Sequence, residues 1–148
     1  MKYKKFQDLS LEEKKEVLRW RNHPEIRKWM YNKEVISLQN HLKFIENLKN
    51  SNKIYLKVGN LGVVNFILKN GYVEFGIHKN PEKKGVGKKL IEFAVNYAFN
   101  ELKIFKIILY VYENNEKALN LYLKFGFKQT GKKDDLIKME LNYANRKN

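Results

Sequence analysis

The segment from residue 103 to residue 112, KIFKIILYVY, limits the fold more than any other part of the sequence. Its apolar residues occupy both faces of a strand, which is the pattern of a strand at the centre of a sheet. Segments with helical periodicity precede it at 85–102 and follow it at 114–127. Because such a strand must be covered by helices, the sequence predicts a mixed α/β sheet with a covered centre.

A meander of three strands is predicted before this unit. β-branched runs at 53–59 and 61–69 flank a turn that contains glycine, which indicates a hairpin. The pair Asn70-Gly71 is a strong signal for a tight turn, and it leads into a third strand at 72–80. A basic strand near the N-terminus and a strand at 135–143 complete the predicted order of strands.

Three helices are predicted between the first strand and the meander. Ser10 and Glu13 have the spacing of a capping box at the start of the first helix. Pro24 suits the first turn of a second helix at 24–31, and a third helix is predicted at 37–50. The predicted apolar stripe of the third helix consists of Leu38, Leu42, Ile45 and Leu48.

The composition excludes several classes of site. The 148 residues include no cysteine, which excludes disulfides, thiolate metal sites and a cysteine nucleophile. No apolar run approaches membrane-spanning length and no signal-peptide pattern is present, so we expect a single soluble, cytoplasmic domain over residues 1–148. The formal net charge of +14 predicts an anionic partner, and the alternative is a lysine-rich surface that is simply solvated.

The segment PEKKGVGKKL at 81–90 lies between a predicted strand and a predicted helix. The N-terminus of a helix leaves backbone N–H groups unpaired and carries about half a positive charge. Gly85 and Gly87 would let phosphates approach the backbone, and the neighbouring lysines add positive potential. The segment predicts a pyrophosphate cradle, although it lacks the Gly-Lys-Ser/Thr ending of a P-loop. The alternative is a glycine-containing turn with solvated lysines.

A second pattern follows the central strand. Asn115, Ala118 and Tyr122 are spaced by offsets of three and seven, so they lie on one face of the predicted helix. A glycine cradle, a strand and then Asn-x-x-Ala-x-x-x-Tyr-x-Lys-x-Gly-Phe is a pattern that resembles the GCN5-related N-acetyltransferases (GNAT), over roughly residues 3–143. The resemblance implies an α/β (α+β) GNAT fold, with a mixed, mostly antiparallel sheet of about seven strands that is splayed between the fourth and fifth.

The resemblance also implies a cofactor, acetyl-CoA, and no metal. It assigns the pyrophosphate to the backbone of the cradle and the pantetheine to the main chain of Ile77 and Lys79. It gives Tyr122 the role of the acid that protonates the departing thiolate, since its ordinary pKa lies only about 1.5 units above that of a thiol. The alternative for Tyr122 is a buried aromatic side chain. The cofactor-binding residues implied are Ile77, Lys79, Lys84, Gly85, Val86, Gly87, Lys88, Lys89, Asn115 and Tyr122.

The general base does not follow directly from the resemblance. Members of this branch often carry a glutamate twelve residues before the tyrosine, and here that position is Tyr110. Glu74 is the best substitute, because strand alternation puts it on one face with Tyr72, Gly76 and His78. A carboxylate in a mid-sheet strand is costly unless it is paired, so the alternatives are an ion pair with a covering helix or a water chain as the proton route. His78 is expected to be a surface histidine.

The residues between 16 and 32, EVLRWRNHPEIRKWMYN, indicate the acceptor. They resemble the N-acetyltransferases of pseudaminic acid biosynthesis, which acetylate the 4-amino group of a UDP-linked 4-amino-4,6-dideoxy-N-acetyl-altrosamine for flagellin glycosylation. The resemblance implies that the early helices form the acceptor side, where Arg21 and His41 are the best candidates to bind the acceptor; the alternative is that both are surface residues. Trp20, Trp29 and Tyr31 either stack on its base or pack in the core.

Other functions remain open at this point. One alternative is acetylation of a ribosomal-protein N-terminus or a small amine, although a polyamine calls for an acidic pocket and the early helices are basic. A non-enzymatic alternative is a basic nucleic-acid-binding module, for which no known binding signature is present. We expect a small-molecule substrate, neither nucleic acid nor membrane as a partner, and a monomer or a homodimer.

Overall fold

The computed structural model of the protein describes residues 2–145 and contains a seven-stranded sheet. The strands are β1 (Tyr3–Lys5), β2 (Lys53–Val58), β3 (Gly62–Leu68), β4 (Val73–Lys79), β5 (Lys106–Tyr112), β6 (Lys128–Lys133) and β7 (Leu136–Asn142). Their order across the sheet is β1-β2-β3-β4-β5-β7-β6, with β4 and β5 parallel and every other pair antiparallel. The prediction of a mixed, mostly antiparallel sheet is confirmed.

Five α-helices flank the sheet in the described part of the chain. They are α1 (Leu11–Asn22), α2 (Pro24–Arg27), α3 (Leu38–Asn47), α4 (Gly87–Asn96) and α5 (Glu116–Lys124). One core cluster fills the space between the sheet and α4, with Phe66 and Leu90 fully buried in it. A second cluster lies under α1 and α3, where Val17 and Ile45 pack with Val63 of β3. Helices therefore cover both faces of the sheet centre, as predicted.

The first of the early helices begins as predicted, and the second is shorter than predicted. The capping box is present, since Ser10 Oγ accepts a hydrogen bond from the Glu13 amide and Glu13 Oε1 accepts one from the Ser10 amide. The prediction of a second helix up to residue 31 is wrong, because α2 ends at Arg27. Arg27 Nη1 donates to the Lys33 carbonyl at 3.2 Å, which ties the chain beyond the helix back onto it.

The predicted apolar stripe of α3 is only partly correct. Ile45 and Leu48 are buried, whereas Leu38 is exposed. His41 takes a buried place on this helix, because its Nε2 lies 2.9 Å from the Lys14 carbonyl and its ring contacts Phe6. This hydrogen bond offsets the cost of removing the polar ring from water, so His41 can be buried on an otherwise apolar face.

Two features near the C-terminal half were not predicted. Residues Tyr97–Glu101 continue α4 as a π-helix. Strand β6 lies at the edge of the sheet and has a polar sequence, KQTGKK, with exposed or partly buried side chains. An edge strand without apolar alternation gives no periodic signal. Between residues 2 and 145, none of the helices is long and apolar enough to cross a membrane.

Candidate active site

A gap between β4 and β5 forms the candidate site. The two strands pair only at Val73–Ile107 and Glu74–Ile108 and then separate, so the predicted splay between the fourth and fifth strands is confirmed. A cavity of about 300 Å³ opens in the gap. Its walls come from α1, the segment after α2, strands β2 to β5, and α5. The cavity thus collects side chains that are far apart in the sequence.

Tyr122 lies on the α5 wall of this cavity. Its ring is buried, with the ring centroid 6.1 Å from that of Phe75 and 5.7 Å from that of Phe127. Burial raises the pKa of Tyr122 above its ordinary value, and the neighbouring Tyr31 raises it further. Tyr122 is therefore both a core aromatic and a cavity residue. Its phenol is a weaker acid than the ordinary values suggest, so it stays protonated as a hydrogen-bond donor.

The predicted face of α5 is present. Asn115 is the N-cap residue of this helix, and its side chain makes no capping hydrogen bond. Asn115 and Ala118 line the cavity together with Tyr122. The amide group of Asn115 is thus available to the cavity rather than to its own helix.

Glu74 lies on the opposite wall, at the closed end of the gap. Its side chain is partly buried and lines the cavity, as do Gly76 and His78 from the same face of β4. Within residues 2–145, the Glu74 carboxylate takes part in no ion pair and no hydrogen bond. The alternative in which a covering helix neutralises Glu74 is therefore wrong for the described chain. A partly buried carboxylate without a partner is a candidate proton acceptor or cation ligand.

Arg21 and His78 face the same cavity from α1 and β4. Arg21 Nη2 donates to the Asn32 carbonyl at 2.6 Å, whereas Arg21 Nη1 and His78 Nε2 are buried and make no hydrogen bond with any described residue. Burial, followed by the charge of Arg21, lowers the pKa of His78 to about 3. The prediction of a surface histidine is wrong, and His78 is a neutral cavity residue.

His41 does not lie on the acceptor side, and Trp20 takes its alternative place in the core. His41 is buried in the second core cluster with its hydrogen bond to Lys14, outside the walls of the cavity. Trp20 is also in that core, where the ammonium group of Lys57 lies 5.4 Å from its ring. Trp29 and Tyr31 do line the cavity.

The cradle lies at the end of β4 that leads to α4. Asn80 fixes this turn, because its Oδ1 accepts a hydrogen bond from the Glu82 amide and its Nδ2 donates to the Asn60 carbonyl. Gly85 has a φ of +70°, and a Cβ built there would meet nothing within 4 Å. The first backbone hydrogen bond of α4 is donated by Leu90 to Val86, so the amides of 87–89 have no partner within the helix. This arrangement fits an anion.

The main chain of β4 also offers groups to the gap. The Asn80 amide donates to the Leu61 carbonyl, towards β3. Because main-chain groups alternate sides along an antiparallel strand, those of Ile77 and Lys79 point away from β3 and into the gap. An extended ligand could pair with them as an added strand.

Several cavity residues were not identified from the sequence. Tyr112 of β5, Tyr55 of β2 and Asn65 of β3 all line the cavity. Alternation along β5 puts Tyr112 on the same face as Tyr110, a signal that was available. Tyr55 and Asn65 lie on strands that are distant in sequence, and only the register of the sheet brings them to the site. Within residues 2–145, no group of three or more His, Cys, Asp or Glu side chains is placed to hold a metal ion.

Comparison with known proteins agrees with this geometry. Residues 6–128 match the family described as "Acetyltransferase (GNAT) domain". The acetyltransferase PseH of Campylobacter jejuni subsp. jejuni is 40% identical over 133 residues, which cover 86% of this chain and 84% of PseH. The crystal structure of C. jejuni PseH in complex with acetyl coenzyme A has a TM-score of 0.79 at 29% identity, covering 95% of this chain and 97% of that chain.

A more distant relative has the same fold. The structure of spermidine N-acetyltransferase from Vibrio cholerae, in complex with CoA and spermine, has a TM-score of 0.80 at 20% identity and covers 97% of this chain and 96% of that chain. The family match and the similarity to PseH each extend over most of the sequence. This chain is therefore a member of the GNAT family of acetyltransferases.

Proposed function

We propose that this protein transfers an acetyl group from acetyl-CoA to the 4-amino group of a UDP-linked 4-amino-4,6-dideoxy-N-acetyl-altrosamine, a step of pseudaminic acid biosynthesis. The observation that carries the proposal is the cavity in the β4–β5 gap, which presents the Tyr122 phenol and the unpaired Glu74 together beside an amide-lined cradle. The similarity to PseH over most of both chains supports the choice of acceptor.

The cradle and the β4 main chain are the proposed cofactor site. The backbone amides from Lys84 to Lys89 would hold the pyrophosphate, and the main chain of Ile77 and Lys79 would pair with the pantetheine. The side chain of Asn115 would contact acetyl-CoA from the α5 side of the gap. When bound, acetyl-CoA supplies an activated thioester that an amine can attack.

Glu74 and Tyr122 are the proposed proton-transfer groups. Glu74 accepts the proton that the amine loses, directly or through water, so that the nitrogen lone pair is free. As the new bond joins this nitrogen to the acetyl carbon, the carbon–sulfur bond breaks. Tyr122 gives its proton to the departing sulfur and takes back the second proton that the nitrogen loses, directly or through water. Such acid–base groups contribute about 10²–10⁴-fold each. Positioning of the two reactants contributes more, about 7–11 kcal/mol.

Arg21 is the proposed electrostatic contact with the acceptor. It is the one guanidinium among the described residues that line the cavity, and one of its nitrogens has no hydrogen-bond partner there. A guanidinium suits the phosphates of a nucleotide sugar and disfavours a polyamine with several positive charges. His41 is left out of the proposed acceptor contacts, since its ring is used in packing.

The experiment that tests the proposal is thiol release from acetyl-CoA with three acceptors: the UDP-4-amino-sugar, a ribosomal-protein peptide and spermidine. Binding of acetyl-CoA is measured in parallel by calorimetry. Turnover with the nucleotide sugar alone supports the proposal. Turnover with the peptide or with spermidine, and none with the nucleotide sugar, rejects the acceptor and keeps the cofactor site. No turnover and no binding of acetyl-CoA rejects both.

A further inference from the structure

Three tyrosines stand together at one part of the cavity wall. Tyr110 and Tyr112 are two residues apart on β5, so their side chains lie on the same face of the sheet. Tyr31, from the segment after α2, contacts Tyr112 edge to face with 6.5 Å between the ring centroids. All three line the cavity. Three aromatic rings from two distant parts of the chain thus surround one space.

Glu74 completes this group from the other strand of the gap. It pairs in register with Ile108, and Tyr110 follows two residues later on the same face of β5. The carboxylate and the three rings are therefore neighbours across the point where the strands separate. Partial burial, followed by the charge of Glu74, raises the pKa of Tyr31 above its ordinary value, although the residue as a whole is largely exposed.

The chemistry of this group favours a cation. The face of an aromatic ring carries negative potential and attracts ammonium groups, and a carboxylate adds a full negative charge. Within residues 2–145, Glu74 has no cationic partner, although the protein contains 30 lysines and arginines against 16 acidic residues. Although the protein is so basic, none of its described lysines or arginines forms an ion pair with this carboxylate.

A lysine at the edge of the group gives an internal example of the contact. Lys33 Nζ lies 4.4 Å from the ring centroid of Tyr112 and 3.0 Å from its hydroxyl, and it also donates to the Met30 carbonyl. Lys33 is not among the residues that line the cavity, whereas Tyr112 is. Tyr31 is 68% exposed overall, which keeps this end of the cavity open to an incoming molecule.

We propose that Tyr31, Tyr110, Tyr112 and Glu74, named here the tyrosine cage, bind the acceptor amine in its protonated form before it loses a proton to Glu74. This assignment rests on the proposed function, since it concerns the acceptor side of the same cavity. It gives Tyr110 a role in binding and leaves proton transfer to Glu74. It also names a chemical requirement of the acceptor: a primary ammonium group at one end, with any negative charge near Arg21.

The test uses a probe that needs no turnover. Tetramethylammonium is a cation without a transferable proton, and tert-butanol is a neutral molecule of similar shape. Saturation-transfer NMR on the enzyme with bound coenzyme A measures the binding of each. We expect tetramethylammonium to bind and tert-butanol not to bind. We also expect Tyr110→Leu and Tyr31→Leu to weaken tetramethylammonium about 3- to 30-fold, because each variant removes one cation–π contact. Tyr110→Phe, which keeps the ring, should retain the affinity.

A control variant and a comparison of two KM values distinguish a loss of acceptor binding from a general structural effect. Tyr72→Leu removes a partly buried tyrosine next to β4 that does not line the cavity, and it should leave probe binding unchanged. In steady-state assays, Tyr110→Leu should raise the KM for the acceptor and leave the KM for acetyl-CoA unchanged.

The failure of this assignment is distinguishable from failure of the proposed function. If the nucleotide sugar is acetylated but tetramethylammonium binds no better than tert-butanol, or binds the leucine variants as well as the wild type, the tyrosine cage is rejected alone. If tetramethylammonium binds and is lost in the leucine variants while the nucleotide sugar is not acetylated, the cage stands and the acceptor is wrong.

Discussion

Glu74 lies opposite Ile108 in the last residue pair that joins β4 to β5. Beyond this pair the strands diverge, so the backbone of two strands fixes where the Glu74 side chain begins, at the closed end of the gap. No ion pair or side-chain hydrogen bond to another described residue uses its carboxylate. The charge of Glu74 can therefore remain free for the substrate.

The substitution Glu74→Gln is expected to lower kcat by about 10²–10⁴-fold, because it removes the proposed proton acceptor and keeps the shape of the side chain. The free energy of unfolding should not decrease, since no ion pair is lost in the described structure and a partly buried, unpaired charge is removed. Steady-state kinetics and urea unfolding measure the two effects.

Glu113→Gln is the control for this prediction. Glu113 pairs with Lys132 at the surface, away from the cavity, and the loss of this exposed pair should leave kcat unchanged. Equal activity of Glu74→Gln and the wild type would contradict the role of Glu74 as the base.

The substitution Tyr122→Phe is expected to lower kcat by about 10²–10⁴-fold without loss of stability. The ring contacts with Phe75 and Phe127 are retained, and the Tyr122 hydroxyl makes no hydrogen bond with another described residue. Thiol release and thermal unfolding are the measurements.

Tyr97→Phe is the matched variant. Tyr97 is a buried tyrosine whose ring stacks on Phe66 at 5.5 Å, and it lies outside the cavity. Its substitution should leave kcat unchanged. A similar fall in both variants would mean that the loss reflects packing rather than acid catalysis.

The pKa of His78 predicts how stability depends on pH. In the folded protein this pKa is lowered from 6.5 to about 3, so the unfolded chain binds a proton in this interval that the folded protein does not bind. The free energy of unfolding contributed by the neutral ring is complete above about pH 6.5 and decreases as the pH falls towards about 3.

His78→Gln removes this titration and should lose less stability than the wild type between about pH 7 and about pH 5. Urea midpoints at the two values measure the difference. An equal loss in wild type and variant would show that the pKa of His78 is ordinary in the folded protein.

Gly85 and Gly71 form a matched pair for the cradle. Both have a positive φ, +70° and +87°, and a Cβ at either position would meet nothing within 4 Å. Alanine at each position should cost a similar backbone strain of about 1–2 kcal/mol. Only Gly85→Ala should also lower the affinity for acetyl-CoA, because its Cβ would add bulk to open space in the cradle. Calorimetric titration with acetyl-CoA checks this, and equal affinities in the two variants would reject the cradle.

Local signals in the sequence predicted most of the fold. The capping box of Ser10, the Asn70-Gly71 turn and the doubly apolar β5 depend on residues close together in the chain, and all three were correct. The polar edge strand β6 was not predicted, because its sequence lacks the alternation of apolar and polar residues that indicates a strand. It forms through its pairing with β7.

The site was predicted less completely than the fold. Tyr122 from the motif, Glu74 from strand alternation and Arg21 from the early helices do line one cavity. His41 was wrongly assigned to the acceptor. The sequence of a helix does not show whether a histidine ring points to a cavity or, as here, to the carbonyl of Lys14. Tyr31 follows the four-residue helix α2, and it reaches Tyr112 only because the chain after this helix turns back towards β5. No local pattern in the sequence predicts that turn.

The open side of β4 links the stability of the folded protein to the binding of acetyl-CoA. An unpaired strand edge is a template on which other chains can pair, and it exposes main-chain groups to proteases when the structure loosens. Acetyl-CoA bound along this edge stabilises the folded state by an amount that grows with the logarithm of its concentration once this exceeds Kd. Loss of bound acetyl-CoA is therefore expected to lower the stability of the folded protein together with its activity.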